Sequence, residues 1–441
     1  MKKSLFAIAA VTAFAGAAQA QSSVTVYGIL DVGYIGGNER LAGVALNGNN
    51  VTKQNVGTFG QSAQSTSRLG FRGTEDLGKG LSAFFTIEMA VTPNSAASPL
   101  AGSATANRLA FVGLAQKGVG RASIGLQNTV VTDAISPTIT GQFNNIVGSM
   151  IFPGTSNLGP SGIRSSTGDI TLFNTNSANG NTEAFTFRTS NTLKLQSERI
   201  AGFQVGAMYV MNNQTTTQGT AATNTTGRRG GENDQSGWGL GANYQLKKLI
   251  VTAAYQSLSA SDPFGIANTT QSAVAANYVN GVTGQIATTS GVTRISGTEE
   301  AFTSVGAGSN VKDNQAYAGA TYDFGILKAY AGWIDRKVTS QISSNFYAKR
   351  TAQEIGVRGN WTPKIESWAS IGNGRVTTFG NGNPTANIVG WQVGTNYILS
   401  KRTNLYAIYG ENGTSNVSTV RGANPQSFNS NNYALGIRHT F

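Results

Sequence analysis

No cysteine occurs in the 441-residue chain, and histidine occurs once, at His439. The first absence excludes disulfides, zinc–thiolate sites and thiol nucleophiles. The second leaves nothing from which to build a multi-histidine metal site, and it nearly excludes a histidine-based triad. Charged residues make up 12% of the chain, against roughly 25% in an ordinary soluble domain. Proline is scarce, at nine residues, whereas glycine reaches 56. Mean hydropathy is −0.15, and no long apolar run lies beyond the N-terminus. A bundle of membrane-crossing helices is therefore excluded.

The one apolar run is MKKSLFAIAAVTAFAGAAQA. Lys2 and Lys3 precede it and Ala18-Gln19-Ala20 closes it, the pattern of a signal peptide with a small-residue cleavage site. Residues 1–20 are expected to be removed, leaving 21–441 as one exported unit. Formal charge is +12, and removing Lys2 and Lys3 leaves 12 − 2 = +10. The basic residues are scattered, several of them in short turns (Lys79, Lys117, Lys247, Lys248, Lys364, Lys401, Arg402). They do not cluster with aromatics, which argues against nucleic acid as a partner.

The stretch FRGTEDLGKGLSAFF, Phe71 to Phe85, matches most of a phosphate-binding loop. Gly80 stands where the magnesium-ligating Ser or Thr belongs. The flanks decide between the readings. Leu69 and Phe71 alternate with Arg68, Gly70 and Arg72. Beyond the turn, Leu81, Ala83, Phe85, Ile87, Met89 and Val91 alternate with Ser82, Phe84, Thr86, Glu88 and Ala90. Period two on both sides makes a β-hairpin.

That pattern returns along the chain, giving sixteen candidate strands after Gln21. Short turns such as TEDLGKG, AQKGVG, LKK, DFG, TPK and SKR alternate with long polar stretches at 36–64, 93–105, 130–182, 213–235, 258–313, 337–349, 377–386 and 412–430. Strict alternation puts all tight turns at one end of a meander. The strands approach the ~9–11 residues that a tilted strand needs to cross a bilayer. In lipid every backbone group must be paired, so the sheet must close. The prediction is an all-β, closed, antiparallel transmembrane barrel of sixteen strands, apolar outside and polar inside. Within 258–313, SAVAANYV (272–279) is a candidate for an added strand. At the C-terminus, Tyr433, Leu435, Ile437, His439 and Phe441 share one face, which predicts an outward, membrane-side histidine.

These motifs together resemble the Gram-negative general porins of the trimeric beta-proteobacterial type. The resemblance is carried by SSVTVYGILDVG (22–33), SRLGFRGTEDLGKGLSAFF (67–85), NRLAFVGL (107–114), RTSNTLKL (188–195), YILSKRTNLYAIYG (397–410) and YALGIRHTF (433–441). It implies a homotrimer in outer-membrane lipid, short periplasmic turns, long extracellular loops, and a third loop folded into the lumen opposite a basic wall. Arg68, Arg108 and Arg188 match the family's wall arginines, and Arg72, Asp31 and Glu88 share the lumen face by parity. Asp133, Arg164 and Asp169 are the candidates on the constricting third loop, 130–182. Two departures stand out. Leu126 replaces an arginine expected before that loop, and the family's acidic Pro-Glu-Phe-Gly-Gly segment is missing from it.

The reading that follows is a passive channel for ions and small hydrophilic solutes with mild anion preference, needing no cofactor or metal. A substrate-selective porin with a binding site in the long loops is the alternative. A barrel hydrolase is disfavoured, because its chemistry would need a histidine off the lipid face. The long loops also leave room for an adhesin role.

Overall fold

The computed structural model describes residues 23–42, 51–94, 107–153, 184–216, 231–264, 278–279, 286–287, 307–340, 347–379, 385–415 and 427–441. The predicted signal segment, 1–20, lies outside them.

The strands are β1 (Ser23–Ala42), β2 (Val51–Gln61), β3 (Arg68–Gly78), β4 (Leu81–Ala90), β5 (Asn107–Gln116), β6 (Gly120–Asn128), β7 (Arg188–Ser197), β8 (Phe203–Thr216), β9 (Gly231–Leu246) and β10 (Leu249–Phe264). After a two-rung ladder of β11 (Tyr278–Val279) and β12 (Ile286–Ala287) come β13 (Ala307–Asp323), β14 (Leu327–Ser340), β15 (Tyr347–Thr362), β16 (Ile365–Phe379), β17 (Thr385–Ile398), β18 (Thr403–Ser415) and β19 (Ser427–Thr440). Neighbours pair antiparallel, and β1 closes the ring on β19 through Ile29↔Thr440 to Ala42↔Ser427. On its other edge β1 pairs with β3 from Ser23 to Ile29 and with β2 from Val32 to Ala42. Seventeen strands thus fill sixteen places, because β2 and β3 are two halves of one.

The predicted loop 36–64 is corrected by this pairing. β1 continues to Ala42 and returns as β2. Lys53, Asn55 and Gly57 precede Phe59 at the same parity along β2, so no apolar alternation marks it; its ladder with β1 holds it instead. The same extension shortens 213–235, 258–313, 337–349 and 412–430. Tyr278–Val279 pairs only with Ile286–Ala287, in a sheet separate from the barrel; residues 272–277 lie outside the described set.

Outside, many large apolar side chains are exposed, Val24, Val26, Val112, Leu114, Leu193, Leu195, Ile355 and Leu435 among them. Aromatic pairs form two belts. Near the short turns sit Phe203–Tyr244 (4.2 Å) and Tyr322–Phe324 (4.7 Å); nearer the loops sit Trp238–Tyr255 (5.5 Å), Trp391–Tyr409 (5.2 Å) and Tyr34–Tyr433 (6.2 Å). Aromatic rings hold this place where a barrel meets the two membrane interfaces. His439 is outward and exposed, as predicted, with Nδ1 2.9 Å from the Thr403 hydroxyl. At the phosphate-loop lookalike, Gly78, Lys79 and Gly80 take φ of 86°, 55° and 78°. Gly80 leads straight into β4 with no helix, so the stretch is a left-handed turn that glycine eases.

Inside, residues 129–153 supply much of the buried apolar core. Helix α1 (Val130–Ile135), capped by the Thr129 hydroxyl, begins the segment, and Val131, Ile135, Ile146 and Met150 are fully buried.

Candidate pore-lining site

Register fixes which side chains point inward. Ile29, Tyr27 and Thr25 on β1, which share a face with Asp31, lie opposite Arg68, Gly70 and Arg72, and those lie opposite Ala90, Glu88 and Thr86 on β4. Arg68, Arg72, Glu88 and Asp31 are therefore on the inner face, as parity predicted. A register irregularity between Glu88 and Met89 turns Arg108 inward too.

Glu88 is the hub. It accepts from Arg108 Nε at 2.7 Å and from the Tyr27 hydroxyl at 3.1 Å, and Arg68 Nη1 stands 3.5 Å away. Gly70 makes room: a Cβ there would fall 2.3 Å from the Tyr27 ring. Arg72 is exposed and lies over the same ring at 5.4 Å. Arg188 is 6% exposed, stacked over Phe187 at 4.9 Å, and its field reaches Arg108, Arg68 and Glu88. Four sequence-predicted residues, Arg68, Arg108, Arg188 and Glu88, are thus brought together.

Asp31 is inward but fully buried. Its Oδ2 accepts from the backbone N–H groups of Gln64 (2.8 Å) and Ser65 (2.6 Å), and its Oδ1 from the Tyr406 hydroxyl (2.5 Å). It clamps the inward bulge 62–67 that separates β2 from β3. Asp133, on α1, pairs with Lys194 at 2.5 Å, and burial within the barrel raises its carboxyl from the usual aspartate range against the pull of Lys194. Arg164 and Asp169 lie outside the described residues. Leu126 pairs with Ala110, on the outer side with Ile124 and Val112, so no inward cation is simply replaced at that rung.

A second set of inward groups anchors residues 129–153. Thr138 meets the Tyr317 hydroxyl (2.7 Å), and Gln392 exchanges hydrogen bonds with Asn144 (2.6 and 3.0 Å). The Asn145 N–H donates to the Ala63 carbonyl of the bulge (2.9 Å). Glu354 Oε2 accepts from Ser149 Oγ (2.8 Å) and from the backbone N–H of Met150 (2.6 Å). Arg350 and Arg358 donate to the carbonyls of Met150 and Thr140 (2.8 Å each). These contacts tie residues 138–150 to inward-facing side chains of β13, β15 and β17. Sequence reasoning passed over Arg350, Glu354 and Arg358, although their spacing of four along β15 puts all three on one face.

The match that decides family spans residues 7–417 and is described as Gram-negative porin. The chain belongs to the Gram-negative porin family. With it comes a place in the outer membrane. This porin is 40% identical over 137 residues to an outer membrane porin protein of Bordetella pertussis, covering 30% of the chain and 35% of the relative. It is 51% identical over 88 residues to outer membrane porin protein 32 of Delftia acidovorans, covering 20% and 22%. The chain thus aligns with about a third or less of these curated relatives. In fold, it resembles the anion-selective porin from Comamonas acidovorans, with TM-score 0.59 and 18% identity over 96% of this chain and 100% of that one. The trimer form of OmpT of Vibrio cholerae gives TM-score 0.54 and 14% identity over 95% and 99%.

Proposed function

We propose that this porin is a passive, water-filled diffusion channel for ions and small hydrophilic solutes, working as a homotrimer with mild anion preference and no chemistry of its own. The observation that carries this reading is the wall around Glu88. Two guanidinium groups, Arg68 and Arg108, share one carboxylate and the buried Arg188 adds its charge to their field, leaving 3 − 1 = +2 formal charges there. Residues 129–153 act as the constriction, so passing solutes are brought close to that wall. A charge a few ångströms from a narrow aqueous path sets local ion concentrations by its field. The name of the Comamonas relative, anion-selective porin, agrees in sign. Mature protein beginning at Gln21 belongs to the same reading.

A second reading, a substrate-selective porin, is favoured by one feature. Phe143, Phe152, Phe185 and Phe187 form a ring cluster, with Phe143–Phe187 at 4.9 Å and Phe143–Phe152 at 5.1 Å, beside Arg188. Cation and aromatic surface together suit an organic anion with an apolar body. Planar-bilayer recording separates the two. A simple diffusion channel gives current linear in solute and no block. Saturable block by benzoate-type anions, absent with acetate, selects the second.

A further inference from the structure

One row of inward positions crosses β13–β17 with almost nothing on it. Gly319 lies opposite Gly332, Gly332 opposite Glu354, Glu354 opposite Gly372, and Gly372 opposite Gly390. Gly410, inward on β18, follows opposite Gln392. Five glycines and one acid leave a trough running across the strands. Glycine weakens a strand, and its recurrence inside one marks a place where another backbone comes close.

That backbone is residues 146–151. A Cβ on Gly410 would fall on the Val147 carbonyl oxygen, and one on Gly390 would lie 2.6 Å from both the Gly148 carbonyl oxygen and Met150 Cε. One on Gly372 would lie 2.8 Å from Met150 Cγ, and one on Gly332 3.4 Å from Ile151 Cγ1. Glu354, the one side chain in the row, accepts from the Met150 N–H at 2.6 Å. The contacts advance in step, from Val147 at β18 to Ile151 at β14. Four strand spacings of about 4.8 Å make about 19 Å, and five extended residue steps of about 3.4 Å make about 17 Å. The lengths match a chain laid crosswise to the strands. Gly148 has φ 114°, and a Cβ there would meet the Trp391 carbonyl. Contact is thus backbone on backbone, where stacked sheets with side chains between them stand about 10 Å apart.

We propose that this trough sets the bore of the channel. Gly332, Gly372, Gly390 and Gly410 are positioning residues: they recess residues 146–151 into the wall and so fix the solute size limit. The proposal rests on residues 129–153 being the constriction. Carbon atoms pack at about 3.5–4.0 Å, so a methyl at Gly390 lifts the segment by roughly 1 Å. Phe152 follows at once and packs on Phe143 and Phe187, over which Arg188 lies. A shift away from β14–β18 carries that cluster further into the opening.

The test is single-channel conductance of the purified full-length porin, with liposome swelling in arabinose and in maltose. G390A/G410A should lower conductance at least twofold and slow maltose more than arabinose. G390A alone should do less and G332A least, with the sign of the ion preference kept throughout. M150A added to G390A should restore part of the loss. G206A is the control, since a Cβ there meets only the Leu195 carbonyl oxygen, at 3.6 Å; it should change nothing. Heat-modifiable gel migration reports that each barrel has formed. Unchanged conductance in folded G390A and G332A overturns the proposal, as does an equal fall for both sugars. A wider, flickering channel also overturns it, since the trough would then hold the segment without setting its height. Glu354→Ala separates the failures. If it raises conductance while the glycine variants do not lower it, the trough alone is wrong; if it too changes nothing, residues 129–153 are not the constriction.

Discussion

Arg108 donates to Glu88 at 2.7 Å, and Arg68 stands 3.5 Å from the same carboxylate oxygen. One acid therefore answers two guanidiniums, with Arg188 behind them. Removing the acid should strengthen the wall's positive field. Glu88→Gln is expected to shift zero-current potentials in a KCl gradient further towards chloride. A shift towards potassium would show that the wall does not govern permeation.

Asp31 receives two backbone N–H groups and the Tyr406 hydroxyl in full burial. Asp31→Ala leaves those donors without a partner, at about 1–3 kcal/mol each. A marked fall in the heat-unfolding midpoint should follow, with noisier single-channel current, because Asn145 hangs on the same bulge. Tyr406→Phe, which removes one donor and leaves the other two bonds, should cost less than Asp31→Ala, about 1.5–3 kcal/mol for one hydrogen bond to a charged group.

Glu354 and Arg350 fasten residues 149–151 to β15. Glu354→Ala should free this stretch from the wall. Single-channel conductance is expected to rise and fluctuate, with the barrel still formed by circular dichroism. Unchanged conductance would mean that the segment does not limit flow.

Gly70 lies beneath the Tyr27 ring. Gly70→Ala forces a 2.3 Å approach and should cost about 1–3 kcal/mol through overpacking. Adding Tyr27→Ala should restore part of that loss, so a double-mutant cycle should give a favourable coupling. Strict additivity would show that the ring does not occupy this place.

How much of this was legible in the sequence follows from where lipid is. Between the aromatic belts the solvent outside is hydrocarbon, so every second residue must be apolar, and 68–72 and 81–91 announce themselves. Beyond the upper belt nothing enforces alternation, which is why Val51–Gln61 reads as loop yet pairs as strand. Parity also fixes a face but not a side chain's engagement. Asp31 falls on the inward parity, but its donors come from 33, 34 and 375 positions away. The clamp it forms appears only once the barrel closes. Arg350, Glu354 and Arg358 were visible as one face, but their role depends on residues 129–153 meeting them, which no local pattern encodes.

If the wall arginines set the ion preference, the reversal potential of Arg68→Ser/Arg108→Ser must move. Screening provides an internal control, since the Debye length is about 10 Å at 0.1 M salt and about 3 Å at 1 M. The purified porin should favour chloride clearly at 0.1 M and weakly near 1 M. The double variant, with assembly intact, should move its potential towards potassium at 0.1 M and differ little at 1 M. A double variant that keeps the original potential at 0.1 M would show that Arg68 and Arg108 are solvated wall charges with no hold on permeation.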